Sequence, residues 1–394
     1  GSIMCPTYRA TENEEITSTR GRANMLRRAM SGDLPDSAFS DEFMHEVLDL
    51  CIGCKGCKRD CPSGVDMAKL KAEVKHEHHQ REGIPLRDRL FANVETLYSL
   101  GSTFAPLSNL ATKLPGTSLL MEKTLGIARE RELPTFKRET LQKWDEKRLP
   151  ALSESEADRK ALLIADPYTN YTQPEVGKAA VETLEAAGVY VEIPDDVTDS
   201  GRPAHSKSLL GQSRSTARGN VDALAPRVAD GWDVVSVEPS DAVMYQEDYL
   251  DLLAGKDVES VADNSYSVME YLDTFRLDDE LDAEGEELLS YHGHCHQTAA
   301  SRDHHAVGVL RRAGYEVDVL DTTCCGMAGS FGYEAEHYSM SQAIGRMLFD
   351  AADDSPAEEI VAPGTSCRSQ LEDYEAVHGK PPHPIEKLAA AVSQ

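Results

Sequence analysis

The feature that most constrains this chain is the run CIGCKGCKRDCP, Cys51 to Pro62, with cysteines at C-x2-C-x2-C-x3-C and proline directly after the last. Thiolates this close in sequence must converge on one small centre. The spacing is the one in which three cysteines wrap three irons of an iron-sulfur cubane while the fourth, before proline, serves a different cluster. Cys51, Cys54 and Cys57 therefore need a fourth thiolate from another Cys-Pro, and Cys5-Pro6 is the one other such pair in the chain. Cys61 in turn needs a cluster whose remaining ligands lie before Gly1. Gly53 and Gly56 suit a loop whose backbone amides approach sulfides closely. Four thiolates also suit tetrahedral zinc, but zinc modules pair two short knuckles across a longer gap, and a three-cysteine ladder disfavours them.

The nine cysteines fall in tight groups: Cys5, then Cys51, Cys54, Cys57 and Cys61, then Cys295, Cys324, Cys325 and Cys367. In a chain of 394 residues this grouping points to metal rather than to a disulfide scaffold. The length allows two or three domains. A net charge of -28, spread along the chain, argues against nucleic acid or an anionic surface held by bulk electrostatics, and an acidic, lysine-poor composition points to a salt-loving source. No apolar run reaches the roughly 18 residues that span a bilayer and no leader opens the chain, so the expected location is the cytoplasm, with at most peripheral attachment to the inner face of the cell membrane. Gly1 and Ser2 read as an appended scar or as the interior of a longer polypeptide.

Helical periodicity in RGRANMLRRAM and DEFMHEVLDLC fills the long spacer between Cys5 and Cys51, and continues through MAKLKAEVKHEHHQRE, where His76, His78 and His79 read as a solvated face rather than as ligands. Pro85, Pro106, Pro115 and Pro134 should each end or kink a helix. The most apolar stretch, LYSLGSTFAPLSNLATKLPGTSLLMEKTLG, is expected to pack between domains, with a docking face for a partner or membrane as the alternative, and LSESEADRK reads as a linker.

Beyond it lies an internal repeat. TLEAAGVYVEIPDDVTDSGRP and VLRRAGYEVDVLDTTCCGMAG each show a helix closing on Ala-Gly before a short alternating strand, with ALLIAD and ELLSYHGHC as the strands upstream. The alignment sets Asp166 against Cys295, Asp199-Ser200 against Cys324-Cys325, and Asp241 against Cys367. Every cysteine of the second copy is thus replaced in the first. The second copy's cysteines fall at the C-terminal ends of strands, where open α/β sheets place their ligands, and a turn through Gly326 is needed to aim Cys324 and Cys325 at one centre. His292, His294 and His296 bracket Cys295; one of them is expected to tune the centre by hydrogen bonding, none to be a ligand. No G-x-G-x-x-G or P-loop supports nucleotide binding.

The stretches CPTYRAT, STRGRANMLRRAM, CIGCKGCKRDCPSGVDMAKLKAE, HGHCHQ, CCGMAGSFGYEAEHYSMS and TSCRSQ resemble the C-terminal iron-sulfur half of FAD-linked D-2-hydroxyacid dehydrogenases of the D-lactate or D-2-hydroxyglutarate class. More distantly they are similar to the iron-sulfur subunit of anaerobic glycerol-3-phosphate dehydrogenase and to CCG-domain heterodisulfide reductase subunits. The resemblance implies an α+β, α/β multidomain chain: a helical ferredoxin-type domain at 1–80, a helical connector at 81–155, a degenerate CCG-type repeat without cysteines at 156–288, and a CCG-type repeat with four at 289–394. It implies a [4Fe-4S] cluster on Cys5, Cys51, Cys54 and Cys57, a second centre on Cys295, Cys324, Cys325 and Cys367, and a further cluster involving Cys61 if upstream ligands exist. Two departures stand out: Asp199-Ser200 replaces a cysteine pair, and Cys367 is followed by Arg368, Ser369 and Gln370 rather than by a second cysteine.

The expected function is an electron-transfer part of an oxidoreductase, taking electrons from FAD on a preceding domain or subunit to a downstream acceptor: the quinone pool, a ferredoxin or an electron-transfer flavoprotein. No residue of the chain then acts on the hydroxyacid. The alternatives are a catalytic CCG centre acting on a thiol or disulfide, the iron-sulfur subunit of a glycerol-3-phosphate dehydrogenase, and a metal-stabilised scaffold without redox chemistry.

Overall fold

Residues 161–165, Ala-Leu-Leu-Ile-Ala, are buried without alternation, as a strand covered on both faces of a parallel sheet must be. In the computed structural model, which describes residues 5–11, 14–31 and 47–392, the first four of them belong to an inner strand of the first of two parallel sheets and Ala165 follows it. Strands β1 (Arg159–Ile164), β2 (Val189–Glu192), β3 (Trp232–Ser236) and β4 (Ser265–Ser267) lie in the order β2-β1-β3-β4. Strands β5 (Leu288–Tyr291), β6 (Glu316–Val319) and β7 (Glu359–Val361) lie in the order β6-β5-β7. In both, the first strand sits between the second and the third.

The helices Pro174–Ala186 and His304–Arg312 carry the crossovers from β1 to β2 and from β5 to β6, and end just before Gly188 and Gly314 as the Ala-Gly signals predict. All strands run the same way within a sheet, so the loops after their C-terminal ends share one edge. The two sheets share a core: Leu163, Val181 and Val189 belong to the same buried cluster as Leu289, Val309 and Ile385. Each such fully buried aliphatic side chain contributes about 1.5–3 kcal/mol. The last helix, Pro384–Val392, closes this core by packing on Pro174–Ala186. Strand β4 had no counterpart in the sequence reading.

Ahead of the sheets, helices Pro6–Ala10, Thr19–Met30 and Met67–Glu82 surround a small core of Leu26, Val47, Leu48 and Met67. Most of DEFMHEVLDLC lies outside the described residues. The connector forms helices Leu86–Ala92, Val94–Thr103, Leu107–Lys113 and Thr117–Leu125, with Pro85 and Pro106 at helix starts and Pro115 in the turn before Thr117. The expectation that its apolar stretch packs between domains is corrected here. Helices this short bury one stripe, Val94, Ser102 and Ala105, and leave Leu100, Phe104, Leu107, Leu110, Leu114 and Leu120 exposed, Leu107 at 68%. The histidine expectation is also corrected: His79 is buried with Nε2 3.7 Å from Asp88, and His76 Nδ1 lies 3.2 Å from the Ser208 carbonyl oxygen. Among the described residues, no helix is long and apolar enough to cross a membrane.

Candidate metal centres

Local hydrogen bonds bring Cys5 to the cysteine loop across the long spacer. Thr7 Oγ1 donates to the Leu50 carbonyl at 2.8 Å, and the buried Arg22 spans the gap, Nε to the Val47 carbonyl at 3.0 Å and Nη1 to Cys5 Sγ at 3.4 Å. Lys71 Nζ donates to the Cys51 carbonyl. The loop itself turns through left-handed Gly53 and Lys55. Burial pushes the Cys54 thiol well above its ordinary value, with Cys295, Cys5 and Cys51 adding to the effect, and pushes Cys57 up to about 11, with Cys51 and Cys5 again close by. Four sulfurs and two cationic side chains thus gather at one place, a donor set suited to an anionic cubane with thiolate ligands. Cys61 stands apart. It is partly exposed, and the amides of Val65, Ser63 and Gly64 hold its thiol below the usual range.

The second set forms on the C-terminal edge of the second sheet. Cys295 opens a short helix after β5, Cys324 and Cys325 follow β6, and Cys367 lies in the helix Thr365–Leu371 after β7. The expected turn through Gly326 is there: its φ is +90°, and a Cβ would lie 2.4 Å from the Ser341 carbonyl oxygen, so a side chain is excluded twice over. Gly364 is required for space, since a Cβ there would lie 2.5 Å from the His294 ring and 3.4 Å from Cys367 Sγ. Hydrogen bonds from Cys324, Cys367 and His292 hold Cys325 well below an ordinary thiol, while sharing protons with Cys295 and Cys325 keeps Cys324 high, and donating to Cys325 keeps Cys367 high. One member of the set is therefore poised as a thiolate, the form that binds metal.

The two sets face one cavity of about 690 Å³, lined by Cys51, Cys295, Cys324, Cys325 and Cys367 among others. A direct bridge joins them: His296 Nε2 lies 3.0 Å from the Gly53 carbonyl oxygen, so the residue after Cys295 meets the residue before Cys54. Burial holds His296 well below its ordinary range, so the ring is neutral and Nε2 donates. Beside it, Lys55 reaches Asp248 at 2.6 Å, and Arg202 pairs with the other oxygen of the same carboxylate. This buried triad fastens the cysteine loop to the first α/β unit. Sequence reasoning missed it, because Lys55 and Asp248 are ordinary residues with no motif.

The corresponding edge of the first sheet carries acids. Asp166 follows β1 and caps its helix through Tyr168 and Thr169; Ser200 Oγ donates to Asp241 Oδ1 at 2.5 Å. Burial raises Asp166 to about 6, and raises Asp241 well above its usual range with Asp166 and Glu238 adding to it. Glu238 crosses between the units: it accepts from the Thr365 amide at 2.8 Å, and its other oxygen lies 3.9 Å from His294 Nε2.

Comparison with known proteins agrees with this division. Residues 2–65 match the 4Fe-4S dicluster domain, and residues 289–372 match the Cysteine-rich domain. The D-2-hydroxyglutarate dehydrogenase of Haemophilus influenzae is 26% identical over 98% of this chain, which covers 42% of that protein. One subunit of the anaerobic glycerol-3-phosphate dehydrogenase of Escherichia coli is 28% identical over 91% of this chain and 89% of its own length. The glycolate oxidase iron-sulfur subunit of the same organism is 24% identical over 94% and 87%. The chain thus spans well under half of the dehydrogenase from Haemophilus and nearly all of the two subunits. With both domains matched and similarity along almost its whole length, the chain is similar to D-2-hydroxyglutarate dehydrogenase, to this subunit of anaerobic glycerol-3-phosphate dehydrogenase and to the glycolate oxidase iron-sulfur subunit.

Proposed function

We propose that this chain is the iron-sulfur electron-transfer part of a flavin-linked dehydrogenase of the D-2-hydroxyacid class, receiving electrons from FAD on a preceding domain or a partner subunit and delivering them to an acceptor such as the quinone pool, a ferredoxin or an electron-transfer flavoprotein. The observation that carries this reading is the juxtaposition of the two cysteine sets, with Cys295 close enough to Cys54 to add to the rise of the Cys54 thiol and His296 bonded to Gly53 between them. Iron-sulfur clusters bound there supply one-electron redox chemistry. Cys5, Cys51, Cys54 and Cys57 would hold one, Cys295, Cys324, Cys325 and Cys367 another, and Cys61 a further one if ligands for it exist outside these residues. The chain's own contribution is to fix the two sets against each other, bury Cys51, Cys324, Cys325 and Cys367, and place Lys71 and Arg22 beside the first set. No residue in it is assigned to the hydroxyacid.

The two α/β units read as copies of one repeat, the first having exchanged its cysteines for Asp166, Asp199, Ser200 and Asp241. Supporting this are the shared strand order and the convergence of Asp166, Ser200 and Asp241 after β1, β2 and β3. The corresponding domain limits are 156–288 and 289–394, after a helical domain at 1–80 and a connector at 81–155.

The test is iron, sulfide and zinc content with EPR of the dithionite-reduced chain, purified anaerobically in high salt. About eight irons with two distinct signals is the expected result. Zinc without iron from iron-replete cells overturns it. Thiol-dependent turnover by this chain alone would favour the catalytic CCG alternative.

A further inference from the structure

We propose that His292 is a fifth donor to the centre held by Cys295, Cys324, Cys325 and Cys367, through its Nε2. The inference rests on the second metal centre proposed above. His292 continues β5 into the cysteine loop, its amide donating to the Val361 carbonyl at 3.0 Å, and its side chain is fully buried. A ring nitrogen of His292 and the sulfurs of Cys325 and Cys367 all lie within 4.8 Å of one another. Nδ1 is committed elsewhere, 2.7 Å from Thr322 Oγ1, while Nε2 has no nitrogen or oxygen partner.

This is the arrangement of a ligating histidine: one ring nitrogen fixed by an outer hydrogen bond that sets the tautomer, the other free to give its lone pair to metal. With Nδ1–H donating to Thr322, Nε2 is the nitrogen left facing Cys325, and in the loaded centre its lone pair would go to metal in place of the hydrogen bond to that sulfur. The other two histidines of HGHCH are placed differently: His294 Nδ1 accepts from the His296 amide, and His296, whose Nε2 bonds Gly53 and whose Nδ1 is also without a partner, is not grouped with two sulfurs of the set within 4.8 Å as His292 is.

Gln370, in the stretch after Cys367 that lacks a second cysteine, does not supply the fifth donor. Its carbonyl oxygen accepts from Arg131 Nη2 at 2.9 Å and from Ser341 Oγ at 3.3 Å. Arg131 is itself anchored to Asp373 and to the Gly332 carbonyl, so Gln370 is drawn into that network. The proposed centre would thus add one nitrogen to its four sulfurs, against the sequence expectation that no flanking histidine is a ligand.

The experiment is pulsed EPR on the iron-loaded chain, oxidised and reduced, made with natural-abundance and with 15N-labelled histidine, alongside iron content. The wild type should show a strong, isotope-sensitive coupling of a directly bound histidine nitrogen. His292→Ala should lose that coupling and about half of the iron, keeping the signal of the Cys51 set, whereas His292→Cys should keep the iron and lose only the coupling. Thr322→Val should keep the iron and change the coupling, since the outer hydrogen bond orients the ring. Full iron without such coupling in either redox state, or coupling that survives in His292→Ala, overturns the ligand and leaves the function above intact. A chain holding iron on the Cys51 set alone overturns the second centre, and the histidine assignment with it.

Discussion

Removing the carboxylate of Asp248 tests how the cysteine loop is held against the α/β units. Lys55, Asp248 and Arg202 have side chains 6%, 6% and 9% exposed, so Asp248→Asn would leave two buried cations facing a neutral amide. Breaking a buried pair by deleting one partner costs about 3–5 kcal/mol. Unfolding entropy near 2.1 cal/mol/K per residue gives about 0.8 kcal/mol/K for 394 residues, so the midpoint should fall by about 4–6 °C in anaerobic thermal unfolding followed by circular dichroism. The neighbouring pair Lys58–Glu247, 2.9 Å apart with side chains 42% and 29% exposed, is the control. Glu247→Gln should cost below about 1 kcal/mol and move the midpoint by about 1 °C or less. Pairing with Arg202 and Lys55 holds Asp248 far below its ordinary 3.8 against the opposing effect of burial. Its contribution is therefore present above pH 4 and lost as pH falls through the folded value, so the gap between wild type and variant should narrow in acid. Equal shifts for Asp248→Asn and Glu247→Gln would refute the argument.

Two further outcomes follow from the strand-end loops. Gly326→Ala, which meets the Ser341 carbonyl at 2.4 Å in a left-handed conformation, should cost more than about 1–2 kcal/mol in denaturant unfolding and lose the iron of the second set, while Gly329→Ala, with φ of +65° and open space, should cost about 1 kcal/mol and keep it. Asp166→Asn should flatten the acid limb of the stability curve: a buried carboxyl raised from 3.8 to about 6 binds more protons folded than unfolded, so wild-type stability falls as pH rises from about 4 through 6, by up to about 3 kcal/mol, and a pH series of unfolding midpoints showing the same slope in both proteins would exclude this.

What the sequence determined by itself is chemistry set within a few residues. The ladder Cys51-Cys54-Cys57 closes on one centre because a short loop has no other option, and Gly326 was needed because adjacent thiols on an extended chain diverge. The parallel strands were legible for the same reason, through unbroken apolar runs and Ala-Gly helix ends. Tertiary structure decided how the two cysteine sets stand against each other. Which cysteine meets the other set, through Gly53 and His296 across 243 residues, depends on how the helical part docks. So does the buried triad of Lys55, Asp248 and Arg202. His292 stood in plain view in HGHCH, yet the role proposed for it turns on where Thr322 fixes its ring. The connector's leucines face outward because its proline-broken helices are too short to bury more than one stripe, and hydrophobicity along a chain does not say which face finds a partner.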